Sequence, residues 1–512
     1  MYNRGQVSDY ESWALLGNKG WDFNSLLPYF KKHENFIDPS TYASKNSFPL
    51  ETTYDARFHG HDGPIQTSFS TWRSSPEDAW IKASTSIGIG IPMDSWSGDH
   101  VGIFHGLSTI DRRDGPTDGT RSYATTGYLL PNAHRSNLHV LTDALVSKLV
   151  ISSDNRTVVG VEFFHSGESH GIEVKKEVIL SAGAFKSPQL LELSGIGNPA
   201  ILTKAGVEPI IKNLQVGENF QDHIGTGLGF ELVEGETSLD ALQDGATGQA
   251  LFEEYMTHRT GPISQAGSAH CFVAFTDIAT ADEIEATQKM ILEHKEPGEK
   301  EHVKEAKQII ASDLDKPTDG TFHIVMISAS LNGSAITNQT DVMKPPAEML
   351  GKQGIWLSPS ITRPMSVGSI HITCADPKQD PAIDPAYLTH PADVEMLAKA
   401  LGLCEKMRTT SPLKEKIKRR YHPHESVDLT THEERKKFVK EYHGTFYHPL
   451  GSVSMGPEGR GACDERLNVR GAKGLRVIDA SVMPLHISGN IVSAVYAIAE
   501  KGADLIKEDW GL

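Results

Sequence analysis

The chain has 512 residues, 38% of them hydrophobic and 22% charged, with 46 glycines and 27 prolines. That is roughly three domains of chain, enough to bury a sizeable core. A net charge of −17 excludes nucleic acid as a partner class, and four widely spaced cysteines (Cys271, Cys374, Cys404, Cys463) with no C-x-x-C supply no zinc or iron–sulfur framework.

Residues 1–70 read as short helices and loops. Ser8 is the expected N-cap and Gly17 the stop of the first helix, and "NSLLPYFKKHENF" is the second. "DGPTDGTRSYATTGYLLP" reads as a loop entering a helix. Residues 138–152, 157–166 and 171–184 are rich in Val, Ile and Leu, are separated by turn signals, and predict strands. "KSPQLLELSGIG" (186–197) predicts a helix with Ser187 as N-cap, Pro188 at its first position and Gly195 as stop. A strand running into a helix through a Gly/Ala turn is α/β layering, with a ligand site expected at the strand ends.

From 225 to 445 a second region is expected. The charged run 282–310 predicts a helical pair jutting into solvent. Residues 363–377 predict a strand and 391–407 an amphipathic helix. The basic cluster "LKEKIKRR" (413–420) reads as a solvated helix face. The ending returns to α/β character, with a buried strand at 474–484 and a helix over 488–507. Ile491, Val495, Ile498 and Leu505 share one face of that helix, and Ser488 and Asn490 stand at its entrance. The uncharged run Ser481 to Ala499 contains Pro, His, Gly and Asn, so no membrane span is expected. Three N-x-S/T sequons, at Asn155, Asn332 and Asn338, matter only if the chain is secreted.

Two motif matches lack the context their chemistry needs. "GIGNPA" (195–200) fits a dinucleotide fingerprint but follows a helix, and Pro199 breaks the turn. "GESHG" (167–171) fits a hydrolase elbow but lies between two strands, so a hairpin is expected and Ser169 is no nucleophile. The histidines of "HGHDG" (59–63) and "HPHE" (422–425) read as surface loop residues, and no metal site is expected. That leaves His448 in "GTFYHPLGSVSMG": a packed core histidine, a metal ligand, or a base.

"GAFKSPQLLELSGIG" (183–197) decides the resemblance, together with "MYNRG", "HGHDGP", "GTRSYATTGYL", "VGENFQDH", "FYHPLGSVSMG" and "RVIDASVMP" in that order. The chain resembles the glucose–methanol–choline (GMC) family of FAD-dependent oxidoreductases along essentially its whole length. The resemblance implies a mixed α/β (α+β) fold, in which a Rossmann-like FAD-binding domain is interleaved with an antiparallel-sheet substrate-binding domain. Residues 1–70 would be helices and lid loops of the FAD domain, 71–120 a substrate-domain segment, and 121–224 FAD domain. Residues 225–447 would be substrate domain, and 448–512 the C-terminal FAD-domain segment with the catalytic residues.

It also implies that His448 is the catalytic histidine and that Asn490 stands where relatives carry His or Asn. Val146, Asp479, Ala480, Asn490 and Ile491 would contact FAD. Neutral histidine accepts a proton near neutral pH, as alcohol oxidation by hydride transfer requires. Asn490 can donate to the developing alkoxide or simply cap the last helix. That helix N-terminus, aimed at the flavin, would favour negative charge there. The expected partners are a small alcohol and oxygen or another electron acceptor. A non-redox lyase of hydroxynitrile-lyase type is the alternative, and a fragment without FAD the third. The family's opening strand and G-x-G-x-x-G turn are not found, so an N-terminal dinucleotide-binding βαβ unit is expected to be lacking, through an internal start methionine or a shortened product.

Overall fold

The structure is a computed structural model and describes residues 1–42, 53–265, 269–296, 298–335 and 338–512. Helices α1 (Val7–Leu15) and α2 (Phe23–His33) open the chain. Asp22 caps α2 by accepting from Ser25 N at 2.9 Å. At α1 the N-cap is Gln6, not Ser8. The Asp9 carboxylate, at the third position of the helix, accepts the Gln6 N–H at 2.7 Å, which is one half of a capping box. Gly17 follows the helix with φ +98°, as a stop should.

After β1 (Gly102–His105) come β2 (Ala144–Ile151), β3 (Val158–His165) and β4 (Glu168–Glu173), an antiparallel sheet of three. The third expected strand is two: a bend at Lys175–Lys176 separates β4 from β5 (Val178–Leu180). Ser166 and Gly167, at φ +52° and +86°, make the β3–β4 hairpin turn, so Ser169 is an exposed strand residue. Helix α3 (Gly183–Leu193) starts four residues before the expected Ser187 cap, and Pro188 lies inside it. The lost Pro188 N–H would have gone to Ala184 O, and Ser452 Oγ donates to that carbonyl instead at 2.6 Å. Ser187 Oγ donates to Asp479 at 2.6 Å.

The second region contributes β6 (Ile224–Gly225), β7 (Leu228–Leu232), β8 (Ala269–Val273), α4 (Ala281–Glu293), α5 (Glu301–Asp313), β9 (Phe322–Ile327) and β10 (Gly354–Ile361). It continues with α6 (Pro391–Arg408), β11 (Ile417–His422) and β12 (Gly444–Thr445). The strands form one open antiparallel sheet in the order β11-β7-β10-β9-β8-β1, with β6 pairing both β10 and β12. Strands β8 and β10 are buried at every residue, and α6 packs on β10.

Three expectations are corrected here. The basic cluster at 413–420 is not a helix face: Ile417–His422 is an edge strand on β7. Lys418 and Arg419 pair with Glu231 at 2.7 Å, and Arg420 is buried against backbone carbonyls. The charged pair at 282–310 does form two helices, but they pack instead of jutting out. Ile284, Ile291, Ile310 and Ala311 are buried, and Lys399 of α6 bonds Glu283 at 2.7 Å. Within 363–377 only Ser369–His371 is strand.

The chain closes with β13 (Leu475–Val477), parallel to β5, and α7 (Val492–Trp510). Of the expected strand 474–484 only these three residues are strand. Asp479 then caps a 3₁₀ turn at Ala480–Val482. All four cysteines are free. Among the described residues no helix is long and apolar enough to cross a membrane.

Candidate active site

His448 sits three residues past β12, in a segment stitched antiparallel to residues 221–225. Gly444 and Thr445 pair with Gly225 and Ile224, Phe446 N donates to His223 O at 3.0 Å, and Leu450 N to Gln221 O at 2.9 Å. Tyr447, with φ +62°, makes the sharp turn before the histidine, a conformation a bulky residue adopts only under tertiary constraint. The His448 backbone is clamped at both ends. Its N–H donates to Asp222 Oδ1 at 2.9 Å, and its carbonyl accepts from His486 Nε2 at 3.0 Å. The other Asp222 oxygen accepts from Tyr387 Oη and Thr445 Oγ1, both at 2.5 Å.

The imidazole is buried, with His223 Nδ1 2.9 Å from its Nδ1 and Asn490 Nδ2 2.9 Å from its Nε2. Burial first, then the neighbouring His486, lowers its pKa to about 3, so it is neutral at neutral pH. Asn490 is not the cap of α7. Ile491 holds that position without a side-chain cap bond, while the Asn490 amide lies between His448 and Asn3, whose Nδ2 donates to Asn490 Oδ1 at 2.9 Å. The loop bearing Asn490 is fixed from α1: Asp9 Oδ2 accepts from Ser488 N at 2.8 Å and Ser488 Oγ at 2.6 Å.

His448 and Asn490 line one pocket of about 210 Å³. Its walls are Trp356, Phe446, Tyr442, Val325, Leu331 and Met343, with His323, Met1 and small residues besides, and no Asp, Glu, Lys or Arg among the described residues reaches it. His422 is also in the wall, stacked on Trp356 with ring centroids 5.2 Å apart and its pKa lowered by burial to about 4. The expectation that the histidines of "HGHDG" and "HPHE" are surface residues therefore fails at two positions. His422 is a buried strand residue of this wall, and His59 is fully buried, with Nδ1 3.2 Å from Glu34.

The expected cofactor residues fall in two groups. Asn490 and Ile491 join His448 at the head of α7. Asp479 and Ala480 join Gly183 at the head of α3, where Asp479 Oδ2 accepts from Gly183 N at 2.8 Å and Oδ1 from Ser481 N at 2.8 Å. Both carboxylate oxygens are thus used inside the chain. Val146 stands on β2, 38% exposed. These surroundings fit an uncharged fused aromatic ring with carbonyl edges. The first amides of α7 lack a capping side chain, Val492 beside them is 36% exposed, and apolar side chains such as Val146, Ile179 and Phe185 stand uncovered on β2, β5 and α3. Sequence reading singled out neither His223, His486 nor Asn3. His223 lies in the quoted "VGENFQDH" block, but no spacing rule joins it to a residue 225 positions away.

Two family models described as GMC oxidoreductase match residues 1–225 and 364–499. Dehydrogenase citC of Monascus ruber is 34% identical over 529 residues, covering 100% of this chain and 82% of its own. GMC oxidoreductase family protein Mala s 12 of Malassezia sympodialis is 32% identical, covering 99% and 77%. The chain belongs to the GMC oxidoreductase family, and it is an FAD-dependent oxidoreductase. An FAD-dependent oxidoreductase from Chaetomium thermophilum (TM-score 0.85) and a fungal aryl-alcohol oxidase (TM-score 0.84) share its fold. Each is 24% identical and covers 100% of this chain and 84% of its own. The match over residues 1–225 gives no support to the expectation that the family's N-terminal dinucleotide-binding unit is lacking.

Proposed function

We propose that the chain oxidises an uncharged, apolar alcohol at its CH–OH carbon, with His448 as the base and Asn490 as the hydrogen-bond donor to the reacting oxygen. One observation carries this: a neutral, buried imidazole and a carboxamide face each other at 2.9 Å in the wall of a pocket without charged side chains. The substrate hydroxyl would open the 2.9 Å contact between them and give its proton to His448 Nε2. Asn490 Nδ2 turns its N–H to the oxygen as negative charge develops there. Bound FAD supplies the two-electron acceptor that takes the carbon-bound hydrogen as hydride. Burial opposes a proton on His448, whereas the bond to His223 and the charge on the substrate oxygen favour it in the reacting complex. Asn490, Ile491 and the first amides of α7 would hold the flavin ring. Val146 and the turn at Gly183 and Ala480 would hold the rest, with Asp479 bracing that turn. Oxygen or another electron acceptor would close the cycle.

The pocket volume suits a single substituted ring, since a cavity of about 150 Å³ takes up benzene. The aryl-alcohol oxidase of the same fold is consistent with that size. The test is anaerobic bleaching of the bound flavin by benzylic and aliphatic alcohols, with choline as a charged comparison. His448→Ala should slow bleaching at least about 100-fold. Unchanged bleaching would remove His448 as the base, and equal bleaching by choline would remove the uncharged substrate. A yellow enzyme that no alcohol bleaches but that cleaves a cyanohydrin would favour the lyase.

A further inference from the structure

A base is useful only if its lone pair faces the proton, and for a neutral imidazole that depends on which nitrogen carries hydrogen. In this chain the choice is made one residue away. His223 Nε2 stands 2.8 Å from Thr362 O and 3.0 Å from Ile487 O. Carbonyl oxygens only accept, so His223 Nε2 carries hydrogen. The ring is fully buried. His486 stacks on it with centroids 3.5 Å apart, and His448 meets it edge-on. Burial and these imidazoles hold its pKa well below the usual range, so it has no second proton and Nδ1 is an acceptor. At 2.9 Å from that nitrogen is His448 Nδ1. Two lone pairs do not face each other at that distance, so His448 Nδ1 carries hydrogen and Nε2 does not.

The other end of the network agrees. Asn3 Nδ2 donates to Asn490 Oδ1, which leaves the Asn490 N–H for His448 Nε2. Reversing every bond would put protons on both His223 nitrogens, a buried cation against two other imidazoles. His486 cannot take over the task. Its Nε2 donates to His448 O and its Nδ1 accepts from Ile487 N at 3.0 Å. Among the described residues no carboxylate bonds the His448 ring. Asp222, the nearest in sequence to His223, spends its oxygens on the His448 backbone, Tyr387 and Thr445.

We propose that His223 is the positioning residue of the reaction. Anchored by two backbone carbonyls, it locks His448 in the Nδ1–H tautomer, leaves the Nε2 lone pair at the pocket wall facing the Asn490 N–H, and remains as acceptor when His448 takes the substrate proton. This rests on the reading of His448 as base. The role that a carboxylate fills in a Ser-His-Asp triad falls here to a neutral imidazole, which orients without adding a full charge.

The test is made on the FAD-loaded enzyme labelled with ¹⁵N-histidine, by long-range ¹H–¹⁵N spectra assigned with His448→Gln and His223→Gln. The expected result is a protonated Nδ1 and bare Nε2 at His448, with the reverse at His223. His223→Leu, which removes the acceptor at similar size, should lower the limiting rate of flavin reduction by about 10–100-fold. It should leave alcohol Kd within about twofold and give His448 an Nε2–H population. His223→Gln, which restores an accepting oxygen, should recover most of the rate. A wild-type His448 protonated on Nε2 would overturn the proposal whether or not the variants fold. So would an unchanged tautomer and rate in His223→Leu. An Nδ1–H His448 in an enzyme whose His448→Ala variant keeps its activity would support the lock and retire the base.

Discussion

Asn490 shows how much a single amide is asked to do. Its oxygen is held by Asn3 and its N–H reaches the one nitrogen of His448 left without hydrogen, so it is oriented before any substrate arrives. A donor fixed in this way is worth about 10²–10³ in rate when it meets developing charge. Asn490→Leu should therefore lower the limiting rate of anaerobic flavin reduction by that order with modest change in alcohol Kd. A rate equal to the parent's would show that the amide serves only the loop. His448 and Asn490 were legible in the sequence because each sits in a distinctive local string. His223 and Asn3 were not, because their importance lies in partners hundreds of residues away.

At the scale of elements, the site depends on β6 and β12 lying close. Gly225 is the close-approach position: a Cβ there would meet Phe446 Cε2 at 2.0 Å and Pro359 O at 2.8 Å. Phe446 is two residues from His448 and lines the pocket. Gly225→Ala should push Phe446 aside, cost about 1–3 kcal/mol of stability by overpacking, and slow alcohol oxidation. The paired readout is the denaturant midpoint and flavin reduction of the same preparation. A variant with parental stability and rate would show that β12 tolerates displacement. The helices α4 to α6 were legible from charge and apolar pattern, but their packing was not. A charged helix and a solvated helix have the same composition when one narrow face carries Ile284 and Ile291 to the core. The basic run at 413–420 misled for a related reason, since its partner Glu231 is on a strand that only the sheet brings beside it.

The molecule buries many of its imidazoles, and that sets its response to acid. Burial lowers His100, His105, His270, His390 and His448 to about 3, and His33 and His486 to about 4. Unfolded, each would titrate near ~6.5. Below that value the unfolded chain binds more protons, so the stability these groups allow is present above ~6.5 and is lost as pH falls toward their folded values. Glu34 adds to the trend. Burial would raise it, but Arg4 at 2.7 Å and His59 outweigh burial and hold it at about 2, so its contribution is lost as pH falls toward that value. Asp319 and Asp393, pushed by burial up to about 6, and His371, which Glu192 and Glu218 hold at about 9 against burial, act in the opposite sense but are outnumbered. The urea midpoint of the holoenzyme should therefore be clearly lower at pH ~5 than at pH ~7.5. A flat or rising midpoint would mean that these rings take up protons without unfolding.

The sequence by itself determined the mixed α/β character, the family, the flavin and the two residues proposed to face the substrate, because strand composition, helix stops and short motifs are local and survive translation into structure. It did not determine where α3 begins, which histidines are buried, or which groups hydrogen-bond the His448 ring. Those were decided only when distant segments met. Ser452 freed Pro188 to sit inside a helix, Trp356 drew His422 into a pocket wall, and two backbone carbonyls oriented His223. Hydrogen-bond direction is a property of contacts in three dimensions, and no spacing along the chain encodes it.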